Sequence, residues 1–277
     1  MTHQHPLLRA AQAFRALHEP GRPLVLPNAW DAVSAAVVQD AGAAAIATTS
    51  AGLAWALGAA DGDRLRRDQA LAAVARVAAA VRVPVSADIE GGYAGDAAGV
   101  GDTVAAVIDA GAVGVNIEDA RYEPGGAPLR TVAEQVERIA AARAAADRAG
   151  VPLFVNARID TFLRGAGGVD LTLGRAAAFL AAGADGIFVP GAVEPGTVKA
   201  LVAGTDGPLN VMVGPGAPPV AELAALGVAR ISAGAGLAQA AHALVHRAAR
   251  ELLREGTYGS LAGGFDYAEL NTLVTRA

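Results

Sequence analysis

The chain has 277 residues, 53% of them hydrophobic, and a formal charge of −5. That is ample apolar material for a large core, and mild acidity without a basic cluster speaks against nucleic acid or an anionic membrane as partner. It contains no cysteine, which excludes disulfides, thiolate nucleophiles and Cys-ligated zinc.

The opening stretch HPLLRAAQAFRALH, residues 5–18, reads as an amphipathic helix and lacks the apolar core of a signal peptide, so a soluble cytoplasmic protein is expected. From there, short apolar runs rich in β-branched residues alternate with alanine-rich segments of helical period. Strands are predicted over 24–28, 44–49, 83–88, 112–118, 152–158, 186–190, 209–214 and 229–234. Most are unbroken apolar runs, as parallel strands covered on both faces require. Ala41 to Ala60 carries no charge. Alanine and glycine dominate it, so it reads as a buried strand and an uncharged loop rather than a membrane span. Helices are predicted near 31–41, 66–81, 97–110, 131–149, 171–182, 196–203, 218–226 and 236–254. Several stop at a glycine suited to the left-handed position after a helix: Gly42, Gly111, Gly150, Gly183 and Gly227. The recurring AGA and AGV turns there mark one repeated helix-to-strand connection.

Eight such units predict an α/β fold, a (β/α)8 barrel of TIM type. One domain is expected over 1–277, with an N-terminal helix and a C-terminal helical tail at about 236–277. An open doubly wound sheet is the alternative. It usually carries a glycine-rich phosphate turn after its first strand, whereas this chain has Pro27-Asn28-Ala29-Trp30-Asp31.

In a barrel the chemistry sits at the C-terminal strand ends. Those ends carry Asn28 and Asp31, Thr48 to Gly52, Asp88 and Glu90, Asn116, Glu118 and Asp119, then Asn156, Arg158 and Asp160; the last three offer Pro190, Gly214 and Ser232. Converging carboxylates repel one another unless a cation neutralises them, and Mg²⁺ or Mn²⁺ prefers such oxygens. His3, His5, His18, His242 and His246 all lie away from the strand ends, which disfavours zinc and copper. Arg158, in NARID, is either a bidentate clamp for a substrate carboxylate or phosphonate, or a salt-bridge partner of Asp160 or Glu118. The sole lysine, Lys199, falls in a surface helix, so an imine-forming aldolase is set aside. The turns GPGAP and SAGAG occupy the place of a phosphate corner but carry no Arg or Lys, and read equally as plain turns.

The segments LPNAWDAVSA, TTSAGLAWALGAADGD, SADIEGGYAGD, GVNIEDA and NARIDTFL, in this order over about the first 165 residues, resemble the isocitrate lyase/phosphoenolpyruvate mutase superfamily. The resemblance implies a Mg²⁺ site with Asp88 as direct ligand and Asp61, Glu90 and Glu118 holding the metal's waters. It also implies that Ser50, Ala51, Gly52 and Leu53 form a loop whose amides take the carboxylate of a 2-oxo acid, with Arg158 on the substrate; Trp30, read by itself, is a core or pocket-wall residue that could stack on a substrate. Finally it implies a homotetramer, a dimer of dimers that exchange the last barrel helix.

The departures are as informative. The lyases carry Lys-Lys-Cys-Gly-His after the fourth strand, where this chain has Ala120-Arg121-Tyr122-Glu123-Pro124-Gly125-Gly126-Ala127. The asparagine-bearing mutase loop is not recognisable. Pro190-Gly191 stands where the lyases have Pro-Glu and the mutase a histidine, and Val213-Gly214-Pro215-Gly216 replaces the lyases' Asn-x-Thr clamp. Proton donors to replace the cysteine are Tyr93, Tyr122 and Glu123, or a water on the metal.

The function expected is a Mg²⁺-dependent lyase on 2-oxo-acid-derived substrates (methylisocitrate-, isocitrate- or oxaloacetate-like), cleaving a C–C bond through a metal-stabilised enolate. The alternatives are a P–C enzyme of the phosphonopyruvate hydrolase or mutase type, and a non-catalytic 2-oxo-acid-binding barrel.

Overall fold

The computed structural model describes residues 6–123 and 125–275. Its strands are β1 (Leu24–Leu26), β2 (Asn28–Ala29), β3 (Ile46–Thr48), β4 (Val85–Asp88), β5 (Gly114–Glu118), β6 (Phe154–Arg158), β7 (Gly186–Val189), β8 (Leu209–Met212) and β9 (Arg230–Ser232). All pairings are parallel, in the order β1-β9-β8-β7-β6-β5-β4-β3-β2. This is the expected TIM-type barrel.

The predicted first strand is divided at Pro27, which has no N–H for the ladder. Leu24–Leu26 pairs with β9 and Asn28–Ala29 pairs with β3, so the two halves close the ring between them. Asn28 secures the break. Its Nδ2 donates to Thr48 O at 3.0 Å and its Oδ1 accepts from Ala233 N at 2.9 Å.

The helices are α1 (Leu8–Ala16), α2 (Ala32–Asp40), α3 (Ser50–Ala56), α4 (Arg67–Ala79), α5 (Ala97–Asp109), α6 (Val132–Ala149), α7 (Val169–Ala181), α8 (Pro195–Gly204), α9 (Val220–Ala225), α10 (Gly236–Glu255) and α11 (Tyr267–Thr275). Local chemistry explains their starts. Asp31 closes a capping box with Ser34 at α2, and Thr131 closes one with Glu134 at α6. Asp31 is thus a helix cap rather than a site acid. The stretch expected as a loop after β3 is a helix, α3, because the Thr49 side chain accepts from Gly52 N. Lys199 lies exposed on α8, as expected. None of the helices among the described residues is long and apolar enough to cross a membrane.

The helix predicted from residue 5 runs from Leu8; His3 and His5 lie outside the described residues. It stoppers the N-terminal mouth of the barrel. Phe14 is fully buried, edge-on to Phe154 at 5.9 Å and to His18 at 4.8 Å, and His18 stacks on Phe154 at 3.8 Å. Gly114 makes the room: a Cβ there would stand 2.7 Å from the Phe14 ring. His18 Nδ1 donates to Phe14 O at 2.9 Å, and burial lowers its pKa to about 3.

Candidate active site at the carboxyl ends of the strands

Asp88 ends β4 with both oxygens aimed at neighbouring amides: Glu90 N at 3.2 Å from Oδ1, and Ser50 N at 3.4 Å from Oδ2. Its own N–H donates to Thr48 Oγ1 at 2.8 Å, so β3 and β4 fix its height above the barrel. The chain then turns through unusual backbone. Glu90 and Tyr93 have φ of 49° and 50°, and Gly92 between them has 98°. Non-glycine residues pay for that conformation, and such strain collects at functional sites. Here it turns the Glu90 carboxylate back beside Asp88. Glu90 accepts from Asp63 N and from the Tyr93 hydroxyl.

Glu118 ends β5 almost fully buried. Tyr122 Oη donates to its Oε1 at 2.6 Å, while Oε2 stands 2.8 Å from Arg158 Nη1 without the alignment of a hydrogen bond. Arg158 meanwhile forks onto Asp160, Nε to Oδ1 at 2.7 Å and Nη2 to Oδ2 at 2.9 Å. The salt-bridge reading of Arg158 therefore holds with both acids at once. The residue still lines the cavity, which leaves it available to a substrate as well. Asp119 is drawn off to the scaffold, accepting from Asp160 N and from Arg175 Nε.

The acids carry the electrostatic mark of crowding. Burial, with Asp63, Asp88 and Asp61 nearby, raises Glu90 to about 7. Burial raises Glu118 to about 8, against the opposing pull of Arg158. Asp61, at the cavity mouth, is raised by its enclosure and by the Asp88 charge. Shifts of this kind, gathered in one cleft, mark a functional site.

A cavity of about 550 Å³ opens above the barrel, lined by Asp61, Asp88, Arg158, Ser50, Ala51 and Asn116 on one side. Not every expected residue reaches it. Gly52 and Leu53 spend their N–H groups on Thr49, at Oγ1 and O, so Ser50 and Ala51 are the two residues of that group facing the space. Trp30 lies behind, its Cβ only 2.7 Å from where a Cβ on Gly52 would be. Tyr93 and Glu123 line a separate polar pocket of about 390 Å³ on the far side of Glu90. Tyr122 touches the site only through Glu118, and Pro124 lies outside the described residues.

A further charge lies buried in the barrel interior, beyond the residues the sequence singles out. Arg230, inside β9, is 1% exposed and reaches across the barrel interior to Asn116 Oδ1 at 3.3 Å. Its Nε and Nη1 meet no hydrogen-bond acceptor among the described residues, and burial lowers it to about 9. The signal was there: a guanidinium in the apolar run ARISAG. It puts positive charge beneath Asp88.

The donor set suits a hard divalent cation. It consists of carboxylates and carries no histidine, and burial raises two of its members, Glu90 and Glu118, well above the ordinary carboxylate range. No three His, Asp or Glu side chains among the described residues lie close enough to grip an ion together.

A sequence profile of the phosphoenolpyruvate phosphomutase family matches residues 14–253. An uncharacterized protein of Mycobacterium tuberculosis H37Rv is 40% identical over 238 residues, covering 83% of this chain and 87% of that one. A crystal structure from Burkholderia cenocepacia J2315, provisionally assigned as a phosphonomutase, superposes with TM-score 0.84 at 43% identity, covering 90% of this chain and 99% of that one. A phosphonopyruvate hydrolase complexed with oxalate and Mg²⁺ gives TM-score 0.83 at 28% identity, covering 96% and 95%. Relatives also include a 2-methylisocitrate lyase of Salmonella typhimurium, 33% identical over 64% of this chain and 61% of that one, and an oxaloacetate decarboxylase of Ectopseudomonas mendocina, 32% identical over 75% and 71%. The chain belongs to the phosphoenolpyruvate phosphomutase family, within the isocitrate lyase/phosphoenolpyruvate mutase superfamily.

Proposed function

We propose that this protein is a Mg²⁺-dependent lyase that breaks a C–C bond beside a bound 2-oxo acid. The observation that carries this reading is the shared cavity. Asp88 and Asp61 open into the same space as Arg158 and the Ser50–Ala51 backbone, which sets an all-oxygen cation site beside a carboxylate-binding wall. Asp88 would hold the ion, with Asp61, Glu90 and Glu118 around its water shell. The ion, when bound, supplies Lewis-acid stabilisation of the negative charge that develops on the substrate's oxo oxygen.

The chain's own residues do the rest. The Ala51 amide, in the first turn of α3, receives the substrate carboxylate, while the Ser50 N–H stays on Asp88 and helps to aim it. Arg158 sets the carbonyl end, held rigid by Asp160 and Glu118. Tyr122 keeps Glu118 in place and is the nearest phenol to the acids. Tyr93 and Glu123 face the other pocket and are left out of proton transfer.

The same reading proposes an oligomer. In α10 only Ala238 is buried, while Leu244, Val245, Leu252 and Leu253 are exposed. A 20-residue helix that leaves this much apolar surface uncovered on its own barrel fits exchange onto a second copy; light scattering reads the assembly.

The test is turnover of a panel of 2-hydroxy and 2-methyl di- and tricarboxylates and oxaloacetate, with Mg²⁺ and with EDTA. Metal-dependent release of a 2-oxo acid is expected. Phosphate release from phosphonopyruvate alone would replace this reading with P–C chemistry. Mg²⁺-dependent binding of oxo acids without turnover of any substrate would replace it with a binding barrel.

A further inference from the structure

The cavity has two chemically distinct sides. Its charged lining residues among those described, Asp61, Asp88 and Arg158, stand together. Facing them, Leu163, Phe188, Val193, Met212 and Val213 form an apolar wall that runs into the turn Gly214-Pro215-Gly216. Arg158 is the one cation in the lining, and both edges of its fork are engaged by Asp160 and Glu118. Phe188, the wall residue beside it on the neighbouring strand, has its ring centre 5.8 Å from the guanidinium carbon. A charge on that wall would find no free cationic side chain.

The backbone makes the omission structural. Gly191, where a polar side chain would enter the far side, has φ of 86°, and a Cβ there would lie 3.1 Å from Leu163 N. The segment carrying Leu163 has taken the space. The amino end of α10 borders the same side and favours negative charge. Gly236 there is exposed, and partial charges at a wet rim offset little of the cost of burying a carboxylate on apolar side chains.

We infer that the far subsite takes a short uncharged substituent, so that the ligands are 2-oxo monocarboxylic acids with an alkyl side chain, and a second carboxylate is selected against. This rests on the reading of the cavity as a 2-oxo-acid site. It deepens that reading by ranking the turnover panel, with alkyl-substituted members ahead of tricarboxylates and 2-oxo diacids. Each methylene placed on the wall tightens binding about fourfold.

The experiment is titration calorimetry at saturating Mg²⁺ with pyruvate, 2-oxobutyrate, 2-oxopentanoate and 2-oxoglutarate. Affinity is expected to rise along the first three, and 2-oxoglutarate to bind at least tenfold more weakly than 2-oxopentanoate. Met212→Arg should reverse the preference between those two, and Val193→Lys does the same from a second position should the first variant fold poorly. If 2-oxoglutarate binds the unmodified protein as tightly as 2-oxopentanoate, the inference is overturned while the oxo-acid site stands. If none of the four binds in a Mg²⁺-dependent way, the site reading falls and takes the inference with it.

Discussion

The two mouths of this barrel are built on opposite principles. At the amino end, Phe14, Phe154 and His18 close the opening with stacked rings, and the titratable group among them is held neutral. At the carboxyl end, Asp61, Asp88, Glu90 and Glu118 crowd together, two of them in strained or fully buried settings. The first end is optimised for stability and the second tolerates instability. That division is what a barrel enzyme needs, since rearranging the upper loops leaves the lower packing untouched.

The sharpest way to break the comparison is a substitution at each end. Asp88→Ala should lower turnover at least roughly a hundredfold to a thousandfold, because it removes the group proposed to hold the charge-stabilising ion. Its unfolding midpoint in metal-free buffer should move far less than that of Phe14→Ala, since relief of repulsion among the acids offsets the two amide hydrogen bonds lost. Phe14→Ala should do the reverse. Truncating a fully buried aromatic costs about 3–5 kcal/mol, read by urea unfolding, while turnover per folded molecule stays near that of the parent. An Asp88→Ala protein that loses its fold, or a Phe14→Ala protein that loses its chemistry, would show that the two ends are not separable.

The next expectation concerns pH, where the ends oppose each other. His18, lowered from 6.5 to about 3, stays neutral when folded over a range in which the unfolded chain takes up a proton. Its contribution is complete above pH 6.5 and is lost as pH falls towards 3. Glu90 and Glu118 are raised from 4.5 to about 7 and about 8. Their contribution is complete below pH 4.5 and is lost as pH rises through those higher values. Metal-free protein should therefore be most stable in mildly acidic buffer. His18→Gln should flatten the acid limb and leave the alkaline limb alone. If the parent and His18→Gln lose stability in parallel between pH 6.5 and 4, His18 is not the group responsible.

How much of this was legible in the chain follows the same division. The strands announced themselves because buried parallel strands are apolar runs, and the acids stood out because they interrupt those runs. The break at Pro27 was hidden by its position inside one apolar run. Helix α3 was hidden because an alanine-rich stretch without charge shows no helical period; only the Thr49 cap distinguishes it. Arg158 could not be resolved from sequence, since both its partners lie on adjacent strand ends and the fork serves them together. Arg230 gives little sign of its role in the chain because nothing in ARISAG tells an inward from an outward position, and Asn116, Asn156, Asn210 and Ser232 make the interior it enters polar. Tyr93 and Glu123 line the second pocket rather than the cavity, a placement that depends on how the loops fold back and has no signal in the chain.

The smallest expected effect tests where the chemical half of the upper mouth ends. Tyr122 donates to Glu118 at 2.6 Å, and its ring packs beside Gly62 and under Arg164 at 5.0 Å. Tyr122→Phe keeps that packing and removes one hydrogen bond, worth about 1 kcal/mol. Turnover should fall by less than about tenfold, with KM nearly unchanged, because Glu118 retains its pairing with Arg158. A loss nearer a hundredfold is the signature of a proton passed directly to the reacting carbon. That result would move Tyr122 from supporting Glu118 to acting on substrate, and would require the loop at 121–128 to close over the cavity during turnover.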